Sequence, residues 1–332
     1  MIAKYIFDKF IETHYPQINN AACIHLRNHK GECQKCTKNC PNEALSFVKK
    51  NFRVNRDLCK PCGLCKTKCP AQAISIKDFG ETRTLKKLNE QETIIIGCER
   101  EGNQGDINFP CLNSLHREFL VIIFLAAGNS QVYINTSHCK DCDREGGCGD
   151  FSTSFKQAQD FIEVFPIKKK IKVIDQIENM PVKSEKIYTR RELFTFLKDK
   201  TYASTLETTS DFLMDEKDKF YSQRPHLLAY INRYISEIPS EVKKNKIISN
   251  FFGSWNIHNS CNGCGLCQAV CPNKAWKLTK DDSGISLTHH AGKCNGCRIC
   301  ADLCPKKSLV EKKVYLFDIE EGFQQRFFLN VE

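Results

Sequence analysis

Four cysteine-rich segments constrain what this 332-residue chain can fold into more than any other feature. Three of them repeat the spacing Cys-x2-Cys-x2-Cys-x3-Cys-Pro and begin at Cys59, Cys261 and Cys294. Three closely spaced thiolates can wrap one corner of a cubic iron–sulfur cluster, while the cysteine before the proline leaves along a short helix. Zinc needs only two Cys-x2-Cys pairs and explains neither the third cysteine nor the proline. The spacing therefore predicts [4Fe-4S] clusters.

The segments form two pairs, because each is followed by similar residues: NEALSF, AQAISI, NKAWKL and KKSLVE. In paired runs of this kind the fourth cysteine of one segment ligates the cluster of the other. That rule predicts three complete ligand sets, which are Cys59, Cys62, Cys65 and Cys40; Cys261, Cys264, Cys267 and Cys304; and Cys294, Cys297, Cys300 and Cys271.

One ligand set is a cysteine short, because Lys30 stands where the leading cysteine of the first segment belongs. Cys23 is the predicted fourth ligand, since it is the same soft ligand type and Gly31 can turn the intervening loop back. The cysteines that it would complete are Cys33, Cys36 and Cys69.

Two alternatives to Cys23 stay open at this point. A histidine, His25 or His29, could be the ligand, or the site could hold a three-iron cluster with no fourth protein ligand. The loop before Cys33 is long and carries Arg27 and Lys30. We therefore expect this cluster to be more exposed than the other three and to serve as a port for electrons.

The basic composition does not by itself indicate a nucleic-acid partner. The formal charge of +10 counts each of the 21 cysteines as neutral. A cluster held by four thiolates carries about −2, so four of them contribute about −8 and nearly cancel the excess. No nucleic-acid-binding motif accompanies the charge. We expect no nucleic-acid partner.

The cysteine count and the apolar segments predict a cytoplasmic protein. An odd number of cysteines, 21, cannot pair completely within one chain, and thiolate ligands explain them better than disulfides do. The N-terminal residues lack a small-residue cleavage site. The longest apolar run, 119–127, is half of the roughly 20 residues that span a bilayer, so no membrane span is expected.

Residues 92–150, between the two pairs, carry five further cysteines. β-Branched runs at 93–96 and 132–135, with an apolar run at 114–127 capped by Ser114, predict a strand, a helix and a parallel strand. An open parallel sheet places its site at the C-terminal ends of its strands. The cysteines expected near that edge are Cys98, Cys111, Cys139, Cys142 and Cys148.

The two pairs of segments resemble polyferredoxin-type electron-transfer proteins, which contain two bacterial dicluster [4Fe-4S] ferredoxin domains. The residues GCE, PCL and HCKDC of the middle segment resemble the delta subunit of methyl-viologen-reducing hydrogenase. That resemblance implies a two-iron cluster and electron transfer to a heterodisulfide reductase. The expected ligands are Cys98, Cys111, Cys139 and Cys142, with Cys148 as a further candidate. A [2Fe-2S] cluster, a [4Fe-4S] cluster and zinc are the alternatives for this site.

The predicted fold class is α+β, with two dicluster ferredoxin-like domains flanking a small α/β cysteine-cluster domain and a helical connector. In the connector, a capping box at Thr189–Glu192 and the helix start at Pro225 predict helices. The basic runs 168–170 and 190–191 are read as a solvated face or a docking surface for an acidic partner. The predicted boundaries are 1–22 for an N-terminal helix, 23–88 and 253–312 for the ferredoxin domains, 92–150 for the α/β domain, 151–252 for the connector and 313–332 for a C-terminal hairpin.

No dinucleotide-binding motif or phosphate loop is present, and one-electron carriers dominate the chain. We therefore predict the electron-relay subunit of a cytoplasmic anaerobic oxidoreductase complex rather than a stand-alone enzyme. The expected partners are an electron donor and a catalytic subunit, such as a molybdenum or tungsten enzyme, a hydrogenase or a heterodisulfide-reductase-like enzyme. The alternative is a reductase of a small sulfur compound or disulfide at the central cysteines.

Overall fold

The computed structural model describes residues 15–27, 33–76, 80–100, 102, 104–128, 130–142, 149–167, 171–181, 223–281, 284–320 and 325–329. Its strands are β1 (Gln17–Ile18), β2 (Leu45–Val48), β3 (Asn51–Val54), β4 (Ile74–Ser75), β5 (Thr93–Cys98), β6 (Ile107–Phe109), β7 (Gln131–Asn135), β8 (Ile171–Ile174), β9 (Ser254–Ile257), β10 (Trp276–Asp281), β11 (Gly284–His289), β12 (Leu309–Lys312) and β13 (Gln325–Leu329). Its helices are α1 (Ile24–Arg27), α2 (Lys35–Lys38), α3 (Leu64–Lys68), α4 (Glu81–Glu90), α5 (Arg117–Ala126), α6 (Gly149–Ile162), α7 (Gln223–Tyr234), α8 (Ser240–Asn245), α9 (Leu266–Val270) and α10 (Ile299–Asp302).

A four-stranded parallel sheet lies in the middle of the chain, with the strand order β6-β5-β7-β8. Ile96 on β5 lies opposite Ile107 on one side and Ile134 on the other, so the C-terminal ends of these three strands meet at one edge. β5 is buried along almost its whole length, as is typical of a strand inside a parallel sheet. The predicted strand, helix and parallel strand are present, and β6 and β8 extend them.

The long apolar helix of this unit begins later than its sequence predicts. α5 starts at Arg117, and the imidazole Nδ1 of His116 accepts a hydrogen bond from the Glu118 amide at 3.3 Å. The predicted cap, Ser114, belongs instead to a 3-10 turn, Leu112–Ser114, where its hydroxyl donates to the Cys111 carbonyl. A histidine that caps a helix through its ring nitrogen is not among the usual cap residues, so the pattern favoured the serine.

Two small units carry the paired cysteine segments. In the N-terminal unit (residues 15–76), β2 and β3 form a hairpin and β1 pairs antiparallel with β4. The predicted helix 1–22 is therefore wrong where it can be compared, because residues 17–18 form a strand; residues 1–14 lie outside the described ranges. In the C-terminal unit (residues 254–312), β9 pairs with β12 and β10 pairs with β11.

The C-terminal residues do not form the predicted hairpin. Leu316–Ile319, expected to be extended, is a 3-10 turn. β13 pairs with β11, so the tail adds a third strand to the β10-β11 sheet of the C-terminal unit. The alternating apolar residues predicted a strand correctly, but the choice of its partner depends on the exposed edge of β11, which is distant in sequence.

The connector is only partly helical. α6 and α7 both pack against α5, as expected for a helical connector, but β8 is the fourth strand of the central sheet. The predicted capping box at 189–192 and the basic runs 168–170 and 190–191 lie outside the part of the chain that the structure describes. No helix within the described ranges has the length and apolar composition needed to cross a membrane.

Candidate iron–sulfur sites

The first site lies between the two cysteine segments of the N-terminal unit and is called the Cys59 site. Four cysteines line one pocket there: Cys40, Cys59, Cys62 and Cys65. Burial, and after it the neighbouring Cys40 and Cys62, raises the pKa of Cys59 to about 11. Gly63 adopts a left-handed conformation, with φ of 77°, at the start of α3, a conformation that costs glycine little. The turn brings the thiols of the second segment around the same space as Cys40.

The second site, called the Cys33 site, includes the predicted ligand Cys23, which lies ahead of the first cysteine segment. Its pocket is lined by Cys23, Cys33, Cys36 and Cys69. Burial, followed by the neighbouring Cys69, Cys23 and Cys33, raises the pKa of Cys36 to about 12. Cys23 precedes α1 and is only 7% exposed. His25 stacks on Phe47 at a ring distance of 4.0 Å and is not among the residues lining the pocket, whereas His29 lies outside the described ranges.

The third site, called the Cys294 site, is the most enclosed one in the C-terminal unit. Burial raises the pKa of Cys297 to about 12, and neighbouring Cys294 and Cys271 act in the same direction. The same two cysteines and Cys297 also raise the pKa of Cys300 after burial does. The cysteines that share this site are therefore Cys271, Cys294, Cys297 and Cys300. Trp255 and Trp276, both nearly fully buried, belong to one apolar cluster with Cys271, Cys294 and Cys300.

The fourth site, called the Cys261 site, is the most open. Its pocket is lined by Cys261, Cys264, Cys267 and Cys304, and Cys300 of the Cys294 site also lines it. Burial is the main cause that raises the pKa of Cys267 to about 12. Cys264 is exposed, which distinguishes it from the other cysteines of the four sites. Gly265, with φ of 75°, starts α9 in the same left-handed conformation that Gly63 adopts at α3.

Backbone amides point at the fourth cysteine of three segments in the same way. The amide of Ala73 donates to the Cys69 sulfur at 3.2 Å, and the amide of Ala275 donates to the Cys271 sulfur at 3.2 Å. The amide of Ser308 donates to the Cys304 sulfur at 3.3 Å. Each donor lies four residues after its cysteine. Amide hydrogen bonds of this kind stabilise negative charge on sulfur and tune the potential of a bound cluster.

The thiols of the four sites fit iron–sulfur clusters. None of these thiols forms a disulfide, although the four thiols of each site lie close together. Buried thiols that raise one another's pKa do not ionise together unless positive charge lies among them, and iron supplies that charge. At the Cys294 site the backbone comes close to a thiol, because a Cβ on Gly253 would lie 2.7 Å from the Cys294 sulfur. Thiolate sulfur is the ligand type that iron–sulfur clusters take in proteins.

The two units meet between the Cys33 site and the Cys294 site. Cys23, Ala71 and Ile299 belong to one apolar cluster, against which Cys69 and Cys297 also pack. Two polar contacts join the same surfaces: the Arg27 guanidinium donates to the carbonyls of Ala269 and Val270 at 2.8 and 3.0 Å, and the Asn295 amide donates to the Pro70 carbonyl. These two sites are therefore neighbours across the contact between the units.

This contact overturns the expectation that the Cys33 site is the most exposed one. Cys23 and Cys36 are each 7% exposed, and Ile299 of the C-terminal unit packs in the same apolar cluster as Cys23. Arg27, expected on a solvated basic loop, remains largely exposed but binds the last carbonyls of α9, where a cation is favourable. The exposed Cys264 makes the Cys261 site the more accessible one. No feature in the sequence of either unit predicted that the two units pack against each other.

The central cysteines lie at the C-terminal edge of the parallel sheet. Cys98 ends β5, Cys111 follows β6, and Cys139 and Cys142 lie in the turns after β7. The loops that carry them are joined, because Arg100 donates to the Asp141 carbonyl at 2.8 Å. Cys98 and Cys139 are buried, whereas Cys111 and Cys142 are partly exposed. Cys148 lies outside the described residues.

The central edge touches the N-terminal unit. Thr67, on α3 between Cys65 and Cys69, donates to the Asn113 carbonyl at 3.3 Å, and Asn113 lies two residues after Cys111. Lys68 pairs with Asp150 at the start of α6. The segment that follows Cys111 and the start of α6 thus both contact the helix that links the Cys59 and Cys33 sites.

The spacing and grouping of the cysteines in the C-terminal unit are those of an iron–sulfur domain. Residues 260–308 match the family model of the 4Fe-4S dicluster domain, and this segment contains the cysteines of the C-terminal unit. The chain is also similar to the ferredoxin-type protein NapF of Haemophilus influenzae, with 36% identity over 65 residues. That alignment covers 18% of this chain and 36% of NapF, so it spans about a third of the relative.

Proposed function

We propose that the chain relays electrons between two redox partners along a row of four [4Fe-4S] clusters, with a further cluster at the central cysteines. The proposed order is the Cys59, Cys33, Cys294 and Cys261 sites. When bound, each cluster takes up and releases one electron. The cysteines hold the clusters, and the amides of Ala73, Ala275 and Ser308 hold the sulfurs in place.

The contact between the two units is the observation that carries this proposal. A relay needs each carrier close to the next, and Cys69 and Cys297 pack against the same apolar cluster. Within each unit, α3 and α9 join the two sites, because each helix carries a cysteine of one site and ends beside a cysteine of the other. The four sites therefore follow one another without a gap of unrelated protein.

Electrons would enter and leave at the ends of the row. The exposed Cys264 favours the Cys261 site as one port. At the other end, the Cys59 site lies beside Leu58, which is 48% exposed for an apolar side chain. The proposed central cluster, held by Cys98, Cys111, Cys139 and Cys142, would join the row beside α3.

The expected partners are a donor and a catalytic oxidoreductase subunit, and the reaction is that of the partner. NapF is named as a ferredoxin-type protein, which supports a role in electron transfer for the part of this chain that resembles it. We propose that the catalytic partner is a molybdenum or tungsten enzyme, a hydrogenase or a heterodisulfide-reductase-like enzyme. It would act in the cytoplasm of an anaerobically growing cell.

Iron analysis tests the number of carriers. Protein purified without oxygen should contain roughly 18 to 20 iron atoms, and as many acid-labile sulfides, per chain if all five sites are filled. A content near eight would leave one unit empty and contradict the relay. Anaerobic affinity purification from the native cells should then recover an oxidoreductase; recovery of none would contradict the proposed role as a subunit.

A second candidate function is reduction of a disulfide or small sulfur compound at the central cysteines. The loops at this edge carry both buried and partly exposed thiols, as a site open to a small substrate requires. A thiolate beside a metal is a nucleophile at neutral pH. If the purified chain turns over polysulfide with a reduced viologen, and Cys148→Ser abolishes turnover, this function replaces the relay; no turnover excludes it.

A further inference from the structure

A buried ion pair lies between the two units and the central sheet. Arg224, at the start of α7, donates to the Glu118 carboxylate at 2.7 Å, and their side chains are 5% and 2% exposed. Gln72, three residues after Cys69, donates to the other carboxylate oxygen at 2.9 Å. The pair therefore connects α5, α7 and the N-terminal unit. Charges buried this deeply are costly unless something compensates for them.

The guanidinium of Arg224 is only partly compensated. Its Nη2 also donates to the Phe251 carbonyl at 2.7 Å, and its Cζ lies 4.3 Å from the centre of the Phe252 ring. The Nε and Nη1 atoms have no hydrogen-bond partner within the described residues. Most of its N–H groups thus have no acceptor within the described residues.

The segment that contacts the Arg224 guanidinium continues directly to the Cys294 site. Phe252, on which the guanidinium stacks, precedes Gly253, whose amide donates to the Cys294 carbonyl at 3.0 Å. Gly253 lies so close that a Cβ would be 2.7 Å from the Cys294 sulfur.

We propose that Arg224 is a fixed buried cation that raises the reduction potential of the cluster at the Cys294 site, and that Glu118 moderates it. A positive charge in a water-poor interior stabilises the form of the cluster that carries one more electron. Glu118 opposes this effect, but it lies on the side of the guanidinium held by α5 and Gln72. The Cys294 site would then hold electrons in the middle of the row.

The inference needs a cluster only at the Cys294 site, within the segment that matches the 4Fe-4S dicluster domain. It does not depend on the number of other clusters or on the partner. A failure of the relay would appear in the iron content, whereas a failure of this inference would appear in one reduction potential. The two outcomes can be told apart on the same sample.

Redox titration of the anaerobic full-length chain, followed by electron paramagnetic resonance, tests the role of Arg224. At fixed solution potential, Arg224→Gln should lower the reduced-to-oxidised ratio of one component at least tenfold, which is about 59 mV for one electron. Glu118→Gln should raise the ratio of that component, by a smaller factor. Arg233→Gln is the matched control, because it removes an exposed cation of the same helix that stacks on Tyr230.

Opposite shifts are the decisive result, because a purely structural ion pair would not move the potential in opposite directions when either partner is neutralised. Equal shifts in one direction, or no shift with full iron content, would overturn the proposal. If Arg224→Gln fails to retain iron, Glu118→Gln decides alone: a raised ratio supports the proposal and an unchanged one rejects it. Arg224→Lys, which keeps the charge, should stay within threefold of the unaltered chain, and a tenfold fall would reject it.

Discussion

The N-terminal and C-terminal units carry the same pair of cysteine segments but complete them differently. In the C-terminal unit all eight cysteines lie within the segments, between Cys261 and Cys304, and residues 260–308 match a family model. In the N-terminal unit one position of the pocket is filled by Cys23, which precedes α1 and lies outside its segment. The C-terminal unit can therefore be assembled from local turns, whereas the N-terminal unit requires a further element.

The additional element of the N-terminal unit also forms the contact with the other unit. Cys23 lines the Cys33 pocket and is followed by the short helix α1. Arg27, the last residue of α1, donates to the carbonyls of Ala269 and Val270. The cysteine that completes this pocket is thus followed directly by the helix that ends beside the end of α9. One short segment of the N-terminal unit therefore contributes both a thiol to the Cys33 pocket and an arginine to the contact between the units.

The largest effect should come from removal of the moved ligand. We expect Cys23→Ala to lose about four iron atoms per chain, or about one if a three-iron cluster remains, because three thiolates hold a cubane poorly. Iron analysis and electron paramagnetic resonance of the reduced protein measure this. Cys261→Ala, the leading cysteine of a complete segment, is the matched variant and should cause an equal loss at its own site. Full iron content in Cys23→Ala would return the ligand role to His25 or His29.

A smaller effect is expected where the C-terminal unit is packed most tightly. In Gly253→Ala the new methyl group would lie 2.7 Å from the Cys294 sulfur and 2.9 Å from the Gly296 Cα. Overpacking of this kind costs about 1–3 kcal/mol, and we expect the spectrum of one cluster to change. Gly149→Ala is a suitable control, because a Cβ there meets nothing within 4 Å. An unchanged spectrum and free energy of unfolding would show that the backbone at Gly253 gives way.

The contact between the units should be weaker than the sites that it joins. Arg27→Ala removes two charge-assisted hydrogen bonds from a largely exposed side chain, so we expect about 1–2 kcal/mol less free energy of unfolding. Iron content should stay complete, but magnetic coupling between two reduced clusters should weaken, and more so together with Asn295→Ala. Arg53→Ala, on the outer hairpin, is the control. Unaltered coupling in the double variant would mean that the apolar cluster alone sets the geometry.

The smallest effect concerns the helix that supports the central unit. Burial lowers the pKa of His116 from 6.5 to about 4. The neutral ring caps α5, since its nitrogen accepts a hydrogen bond there. A group whose folded pKa is lowered stabilises fully above its unfolded pKa, and that stability is lost as the pH falls from about 6.5 towards 4. His116→Asn keeps an acceptor that does not titrate and should remove this loss, about 1 kcal/mol or less at pH 5 for a partly exposed ring. Denaturant titrations at pH 7 and pH 5 compare the two proteins, and equal pH dependence would contradict the assignment.

The parts of the fold that follow from local pattern were predictable. The cysteine spacing indicated which thiols lie together, and the pockets group Cys40 with Cys59 and Cys304 with Cys261. β-Branched runs predicted β5 and β7. The tail strand β13 was predicted as a strand, but its pairing with β11 was not, because any unpaired edge accepts a strand of suitable pattern.

The sequence by itself determined the chemistry of the sites, since the residues of a cysteine segment are close enough in the chain for their spacing to fix their geometry. The tertiary structure alone decided how the units are arranged. The burial of Cys23 against Ile299 brings together residues of the two units. The ion pair of Glu118 with Arg224 joins residues 106 positions apart, and the contact of Arg27 with Val270 joins residues 243 positions apart. No periodicity or motif encodes such pairs, because they arise only when separately formed surfaces bury one another.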